Sequence, residues 1–283
     1  MDGRKIEEGV FKVLMVAATL LIFLTLALII ATVVRKGLPA FNLAMITQTP
    51  KGGYYLGKEG GVLNAILGSL FLAGGATFLA FLFSFPVVLY LNVYARPDSR
   101  LVRFTRFSLD VLWGVPSIVY GAFGFTIMLW LGLKASLLAG IFAVTLLVLP
   151  IMARAMDEVM RLAPRELCEA SFSLGATRLE TAIKVLARQS LPGIVTALLL
   201  AFGRGIGDAA SVIFTAGFTD SLPTSLLRPA ATLPLAVFFQ LGTPIPEVQN
   251  RAYASALILT LLVLLISLIS RVLSRRFTRH VVR

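Results

Sequence analysis

The feature that most constrains this chain is a succession of long apolar stretches with almost no charge. The first, from Val10 to Val34, contains Lys12 as its single charged residue. A helix needs about 20 apolar residues to cross the hydrocarbon core of a bilayer, and a secretory signal peptide has a shorter apolar region. We therefore expect an uncleaved transmembrane helix here and five more along the chain, with Pro86 bending the second. The predicted spans are residues 10–34, 62–95, 108–133, 135–155, 193–217 and 252–270, within one transmembrane domain of residues 1–283.

The composition agrees with this prediction of an all-α polytopic membrane protein. Hydrophobic residues make up 58% of the chain and charged residues 14%, which is too little charge to cover a water-soluble surface. The single Cys and single His exclude a disulfide framework and a Cys/His zinc cluster. The sequence also lacks the glycine-rich motif that holds ATP and any constellation of catalytic side chains. We expect no catalytic residue, no metal and no cofactor, and therefore no enzymatic activity in this chain by itself.

The positive charges are distributed unequally between the two sides of the predicted membrane protein. The formal net charge of +12 would suggest a nucleic-acid partner in a soluble protein. With six spans, the side that carries both termini holds 18 Lys and Arg residues and the opposite side holds 7. Because Lys and Arg accumulate on the cytoplasmic side of membrane proteins, we expect both termini in the cytoplasm. The basic excess then reflects membrane topology, and no nucleic-acid partner is expected.

The predicted cytoplasmic connection of residues 157–192 has the pattern of two short helices. Pro164 followed by Glu166 is typical of a helix start, because proline is tolerated in the first turn and an acid is favoured near the positive helix end. Gly175 can end that helix by adopting a positive φ. Thr177 and Glu180 have the spacing of a capping box, which opens a second helix. The sequence therefore predicts a compact helix–glycine–helix element; the alternative is a loop that lies on the lipid headgroups.

This connection also resembles a motif of known transporters. Glu169-Ala-Ser171, followed after three residues by Gly175, is similar to the Glu-Ala-Ala…Gly loop of ABC importer permeases, which docks into a groove of the ATPase subunit. Further segments resemble the phosphate-importer permeases, and the A-type subunit more than its C-type partner. Ser171 in the third place, and Gly207-Asp-Ala-Ala-Ser211 in place of Gly-Glu-Thr-Ala-Pro, depart from the family pattern. The further segments are Lys36–Asn42, Gly60–Gly68, Val115–Gly121, Leu149–Pro150, Leu174–Thr177, Leu191–Ile194 and Gly203–Asp208.

The resemblance implies a type I ABC importer-like fold with a cytoplasmic coupling-helix loop. It implies that the chain forms the translocation path of an ATP-hydrolysing phosphate translocase in the cytoplasmic (inner) membrane of a prokaryote. The implied partners are a second permease subunit of the C type, two ATPase subunits and an external phosphate-binding protein. Open alternatives are another oxyanion as substrate (molybdate, tungstate or sulfate), an ion-coupled secondary carrier that works alone, and a membrane scaffold without transport. The residues implied to couple to the ATPase are Glu169, Ala170, Ser171, Gly175 and Ala176.

Polar residues inside two of the predicted spans need a partner, because a charge in lipid costs about 2.5–3.5 kcal/mol. Four of these polar residues fall on one narrow face of the fifth predicted span, and Ser117 lies in the third. The fifth-span face either lines a path for an oxyanion or holds an internal ion pair, and both can be true. The predicted translocation-path residues are Arg204, Asp208, Ser211, Thr215 and Ser117.

Small residues are placed where helices could approach each other closely. Gly203 and Gly207 form a G-x-x-x-G pair that would admit a neighbouring helix. Thr232–Leu241 is apolar but too short to cross a membrane, so we expect a re-entrant or interfacial helix. A further set of residues shares one face of the third predicted span, either as a packing seam or as part of a gate that a proline bends. That set is Asp110, Gly114, Ser117, Gly121 and Gly124, with Pro116 at the bend.

Overall fold

The structure is a computed structural model, which describes residues 3–51, 59–96 and 98–277. It is built from α-helices, with a single pair of two-residue antiparallel strands in the described part, β1 (Pro50–Lys51) and β2 (Glu59–Gly60). The described α-helices are α1 (Gly3–Gly37), α2 (Leu43–Thr47), α3 (Leu63–Leu89), α4 (Arg100–Trp113), α5 (Ser117–Trp130), α6 (Leu137–Arg161), α7 (Arg165–Ser173), α8 (Arg178–Glu180), α9 (Ala187–Gln189), α10 (Leu191–Ile206), α11 (Leu233–Leu241) and α12 (Pro246–Phe277).

Four of the described helices are long and apolar enough to cross a membrane by themselves. Two more spans form if each of two bent helix pairs is taken as one crossing, which gives six in total. The predicted fold class, an all-α polytopic membrane protein, is therefore confirmed, with four to six candidate spans among the described residues. The four helices are Glu7–Ala40, Leu63–Tyr94, Leu137–Arg161 and Pro246–Ile269, and the bent pairs are Arg100–Trp113 with Ser117–Trp130 and Arg178–Gln189 with Leu191–Ile206.

Contacts between distant residues define two sides of the bundle. On one side, Arg178 donates a hydrogen bond from Nη1 to the carbonyl of Tyr94, at the end of the second span (3.3 Å). On the other, Arg251 in α12 donates from Nη2 to the carbonyl of Gly60, just before α3 begins (3.0 Å). We call these the loop side and the far side. The coupling loop is the name we give to residues 162–190, which join α6 to α10 on the loop side.

The core lies where α3, α6 and α10 pack together. Small residues permit this close approach: a side chain at Gly205 of α10 would meet Val144 of α6, and one at Gly68 of α3 would meet the backbone of Ala231. In a bilayer, close van der Waals packing of this kind drives helix association, because lipid tails are as apolar as the side chains. The apolar window of α1, by contrast, is entirely exposed in this subunit.

The third predicted span, residues 108–133, is broken rather than continuous. α4 ends at Trp113 and α5 begins at Ser117, with an angle of 100° between them. The reason is local, because Pro116 has no N–H to donate to the preceding turn and adopts an extended ψ of 140°. The expectation that Asp110 and Gly114 share a helix face with Ser117 is therefore wrong.

The prediction of a fifth span over residues 193–217 is also wrong, because its second half is not helical. α10 ends at Ile206, and the chain continues in turns. Asp208 Oδ2 accepts a hydrogen bond from the backbone N–H of Ser211 (2.8 Å), so a side-chain bond replaces the helical one. The span also starts with a 74° bend after Gln189, where Pro192 withholds the backbone donor that a straight helix would need.

Helical hydrogen bonding continues past the apolar stretches into polar residues, so hydropathy underestimates several helix lengths. Asp157, expected in the loop, belongs to α6 and is buried, and the coupling loop begins at Leu162 rather than at residue 157. The second span stays helical to Tyr94 with Pro86 inside it, and a π-helical stretch closes it. Expected and observed bounds are 10–34 and Gly3–Gly37 for the first helix, 135–155 and Leu137–Arg161 for the fourth, and 252–270 and Pro246–Phe277 for the sixth.

The short apolar segment near the far side is a helix, as expected. α11 is buried over most of its length and packs against α12 and α3. Ser69 Oγ of α3 accepts a hydrogen bond from the backbone N–H of Leu233 (2.8 Å), which satisfies one of the free donors at the start of α11. Non-helical backbone is tolerated at membrane depth only where protein covers it, and α11 contributes to that cover through Phe239, which packs edge-on against Phe218.

Candidate coupling surface and translocation site

The coupling loop has the predicted helix–glycine–helix shape. α7 starts directly after Pro164 and ends at Ser173. Gly175 then adopts φ +84°, a left-handed conformation that glycine reaches without steric cost. The reversal is held by backbone hydrogen bonds from Leu174 to Ala170 (3.1 Å) and from Gly175 to Phe172 (2.9 Å). The chain is thereby turned into a second helical segment, Arg178–Gln189, which leads to α10.

A capping box opens this second segment. The backbone N–H of Glu180 donates to Thr177 Oγ1 (3.3 Å), and Glu180 Oε2 accepts from the backbone N–H of Thr177 (3.1 Å). Lys184 donates to the other carboxylate oxygen (3.1 Å). Because these bonds favour the charged form, led by the one from the Thr177 backbone, the pKa of Glu180 is lowered to about 2.

The five predicted coupling residues divide between an outer and an inner face. Glu169, Ala170 and Gly175 are exposed, and a side chain added at Gly175 would meet no neighbour within 4 Å. Ser171 is buried, and its Oγ forms a hydrogen bond with Thr181 Oγ1 of the second segment (2.9 Å). Half-buried Ala176 donates its backbone N–H to the Ser171 carbonyl (3.2 Å). Glu169, Ala170 and Gly175 therefore form an exposed surface. Ser171 and Ala176 make the hydrogen bonds that stabilise the loop.

The outer face also exposes large apolar side chains. Leu174 is 89% exposed and Phe172 42% exposed. On a loop outside the membrane spans, apolar side chains in water are typical of a surface that a partner covers. The coupling loop thus combines exposed leucine and phenylalanine with an exposed acid, Glu169, one turn away.

Beneath the coupling loop is a cavity of about 540 Å³ between α7 and the loop-side ends of the second span, α4 and α6. Arg161, Arg165, Asp98 and Glu169 are among the charged residues of its lining. Cys168 also lines it, and burial, followed by the charge of Glu169, raises the pKa of this thiol. The cavity leaves space between α7 and these helix ends, whereas Ala182, Leu186 and Ala187 of the second helical segment pack into the core of the bundle.

A buried carboxylate on the loop side organises the helix ends around the cavity. Asp157 is fully buried and accepts hydrogen bonds from Asn92 Nδ2 (2.8 Å) and from Arg106 Nε (2.8 Å) and Nη2 (2.9 Å). Arg154 Nη1 lies 3.4 Å from the same carboxylate, and Arg154 Nε lies 2.7 Å from Asp110 Oδ1. We call these five residues the Asp157 network. The network ties α4 and the end of the second span to α6, and sequence reasoning missed it because its members are far apart in the chain.

The predicted translocation residues do not share a helix face, but three of them lie together at the end of α10. Arg204 Nη1 is 3.3 Å from Asp208 Oδ1. The side chain of Asp208 is 4% exposed and that of Arg204 is 46% exposed, so the pair joins a buried acid to an accessible guanidinium. Ser211 donates its backbone N–H to the same carboxylate, as described above. Asp208 therefore holds both Arg204 and the turn that follows α10.

The other two predicted residues lie behind this turn. Thr215 is fully buried and its Oγ1 donates to the Ser211 carbonyl (3.1 Å). Ser117 is half-buried in the first turn of α5. One turn later, a side chain at Gly121 would collide with the backbone of Ala210 and Ser211. The small-residue seam predicted for α5 is thus confirmed at Gly121, and it packs α5 against the segment that carries Asp208.

Among the residues that the structure describes, none packs against the predicted G-x-x-x-G pair as a neighbouring helix would. A side chain at Gly203 would meet nothing within 4 Å, and one at Gly207 would meet only the Gly203 carbonyl. The face of α10 that carries Gly203 and the accessible Arg204 is therefore open. Among the described residues, no group of three or more His, Cys, Asp or Glu side chains is placed to hold a metal.

Comparison with known proteins identifies the family. The model of the family described as "binding-protein-dependent transport system inner membrane component" matches residues 89–283. The chain belongs to this family. It is 34% identical to the phosphate transport system permease protein PstA of Haemophilus influenzae over 86% of this chain and 85% of that protein. It is 32% identical to the probable phosphate transport system permease protein PstA of Methanocaldococcus jannaschii over 93% of this chain and 92% of that protein.

Solved structures of transporters share the fold. A chain of a bacterial alginate ABC transporter superposes with a TM-score of 0.67 at 14% identity, covering 99% of both chains. A chain of the MetNI methionine ABC transporter in an inward-facing conformation superposes with a TM-score of 0.63 at 23% identity, covering 76% of this chain and 95% of that one. At these identities the likeness is one of fold. It confirms the type I ABC importer-like arrangement expected from the sequence, and the family match includes the coupling loop and α10.

Proposed function

We propose that this chain is a permease subunit of an ATP-driven inorganic phosphate importer. The relatives named above are phosphate permeases, and their similarity extends over most of the chain. We infer that the loop side faces the cytoplasm, since both termini and most Lys and Arg residues are expected there. The partners are a second permease subunit of the C type, two ATPase subunits and an external phosphate-binding protein. A secondary carrier that works alone is disfavoured by the family match, since the family is dependent on a binding protein.

The outer face of the coupling loop is the observation that carries this proposal. It presents exposed Leu174, Phe172 and Glu169 on a helix that is reversed by a rigid turn at Gly175. A docked ATPase would press on this surface. The loop continues directly into α10 at one end and into α6 at the other, so a displacement of α7 is passed to both helices. Docking would thereby switch the bundle between inward- and outward-facing arrangements.

Phosphate import requires an external source of energy. Moving an anion inward against an inside-negative potential costs about 2.3 kcal/mol per charge per 100 mV, before any concentration gradient. The sequence has no ATP-binding motif. The ATPase subunits therefore supply the work through the coupling loop.

The accessible guanidinium of Arg204 is the candidate contact for phosphate. Guanidinium groups bind phosphate oxygens through charge-assisted, bidentate hydrogen bonds. Asp208 neutralises part of this charge at 3.3 Å, which would allow the anion to leave again. The open face around Gly203 and Arg204 supports a path between this subunit and the second permease, whereas Ser211 and Thr215 are buried behind that face and Ser117 is half-buried on α5.

Transport by the reconstituted complex tests the proposed function. The chain is purified with its co-purifying partners and placed in vesicles with ATP inside and the binding protein and labelled phosphate outside. We expect phosphate uptake that requires ATP and is unaffected by a tenfold excess of molybdate or sulfate. Uptake by this chain alone, or uptake driven by an ion gradient without ATP, would contradict the proposal. Equal competition by molybdate would replace phosphate with the broader oxyanion class.

A further inference from the structure

The helix α4 has an inner face that is fixed to the protein. Val102 and Leu109 on this face are buried. Arg106 bonds to Asp157, and Asp110 bonds to Arg154, both on α6. α4 is therefore held on the loop side of the bundle and does not hang freely from the break at Pro116.

The outer face of α4 is apolar and uncovered. At 100° per residue, five of its exposed apolar side chains fall on an arc of about 140°, and Arg103, Arg106 and Asp110 lie outside that arc. An uncovered apolar arc on one flank and charges on the other are typical of a helix at a membrane surface. These five residues are Leu101 (54% exposed), Phe104 (68%), Phe107 (64%), Val111 (52%) and Leu112 (41%), while Trp113 (52%) at the end of the helix lies outside the arc.

Two arginines in the first turns of α4 adjoin this apolar arc: Arg103 lies beside its edge, and Arg100 lies within it at the start of the helix. Arg100 and Arg103 are exposed, and no acid forms an ion pair with either of them in the part of the chain that the structure describes. Long basic side chains beside an apolar helix face can extend to the headgroup level while the apolar residues enter the acyl region. The 100° angle between α4 and α5 shows that α4 does not continue the direction of that span.

We propose that α4 lies in the cytoplasmic membrane interface and that Arg100 and Arg103 bind the phosphate groups of anionic phospholipids. Free phosphate would not account for the apolar arc beside the arginines, whereas a phospholipid matches both features. A second copy of this chain is disfavoured, since a symmetric contact would bring the same arginines together. Because the inner face of α4 belongs to the Asp157 network, bound lipid also fixes the position of the helix ends around the coupling loop.

Tryptophan quenching at position 104 tests the proposal on the whole chain reconstituted in vesicles. Phe104→Trp is placed in a Trp113→Phe, Trp130→Phe background, so that the reporter is the one remaining tryptophan. Its emission is compared in vesicles that contain brominated phosphatidylglycerol or brominated phosphatidylcholine. We expect both lipids to quench it, and the phosphatidylglycerol to bind locally about thirtyfold more strongly, from two arginines at about 1 kcal/mol each.

Charge-removing variants supply the controls. Arg100→Gln with Arg103→Gln should bring the preference for phosphatidylglycerol close to unity while quenching persists. Arg161→Gln with Arg188→Gln removes the same charge elsewhere in exposed positions on the loop side and should leave the preference unchanged. A reporter at Phe23→Trp in exposed α1 should show no headgroup preference.

Three outcomes would overturn the proposal, and the first two need no arginine variant. Emission at position 104 that neither lipid quenches would place α4 in water or against protein. Equal quenching by both lipids in the parent would remove the headgroup recognition. A preference that survives the loss of both α4 arginines would assign it to other residues.

Discussion

At the scale of single residues, two charge clusters of this protein differ in what they can do. The Asp157 network places its carboxylate in the interior with hydrogen-bonding partners on three elements. The Arg204–Asp208 pair buries the acid and leaves the cation accessible. A buried charge with its partners in place maintains a structure, whereas an accessible cation can still bind an anion.

Asp157→Asn should destabilise the protein strongly. The substitution keeps the shape but leaves Arg106 and Arg154 facing a neutral group, and breaking a buried ion pair costs about 3–5 kcal/mol. We expect this loss in the free energy of unfolding, measured by denaturant titration in mixed micelles. Glu158→Gln is the matched control, because Glu158 is 58% exposed and lies 3.7 Å from Arg154. A loss of similar size in the control would contradict the central position of Asp157.

Arg204→Gln should abolish uptake, and it should also lower stability, because the buried carboxylate of Asp208 loses its cation. The double variant with Asp208→Asn distinguishes a contact between Arg204 and phosphate from a purely structural ion pair. If Arg204 contacts phosphate, the double variant remains inactive although no buried charge is left unpaired. Recovery of uptake in the double variant, measured with labelled phosphate in vesicles, would show that the pair only holds the turn after α10.

At the scale of helices and loops, the sequence is reliable where the signal is local. The turn at Gly175 and the capping box of Thr177 and Glu180 depend on residues within a few positions of each other, and both are found as expected. Hydropathy averages over a window of a whole span, so it passed over the breaks at Pro116 and after Ile206. The Asp157 network could not be predicted, because it depends on how helices from distant parts of the chain are packed.

The capping box should lose its effect in acid. The pKa of Glu180 is lowered from its ordinary value of 4.5 to about 2 in the folded protein, chiefly by the hydrogen bond from the Thr177 backbone. A lowered pKa means that the charged form stabilises the fold above pH 4.5, and that this contribution is lost as the pH falls toward 2. We expect hydrogen-exchange protection of the amide of Thr177 to fall over that range.

Glu180→Gln is the control for this titration. In this variant, the hydrogen-exchange protection of the Thr177 amide should be lower than in the parent protein at neutral pH. It should also lack the fall between pH 5 and pH 2 that the parent shows. An identical acid transition in the variant would assign the loss to another group.

At the scale of the whole molecule, the ends of several helices of the bundle meet at the coupling loop. The end of the second span contacts the loop through Arg178, and α6 and α10 are continuous with it. The cavity of about 540 Å³ separates α7 from these ends. A force on the outer face of the loop can therefore displace α7 into the cavity. The same force is transmitted along the chain to α10, which carries Arg204.

Glu169→Lys should uncouple ATP hydrolysis from transport. The substitution reverses a charge on the exposed surface where the ATPase is expected, without touching the buried contact of Ser171. We expect normal insertion into the membrane and a drop of tenfold or more in phosphate moved per ATP hydrolysed in the reconstituted complex. Glu8→Lys makes the same change at an exposed position on α1 and should have no effect on this ratio.

Photo-crosslinking from position 170 tests the central claim most directly, because Ala170 is exposed on the outer face of the coupling loop. A photoreactive phenylalanine is introduced there and irradiated in native membranes, and the adducts are identified by mass spectrometry. The account predicts one dominant protein adduct, to a subunit that carries an ATP-binding motif, and its loss in Glu169→Lys. Adducts to lipid alone, or to proteins without such a motif, would contradict it.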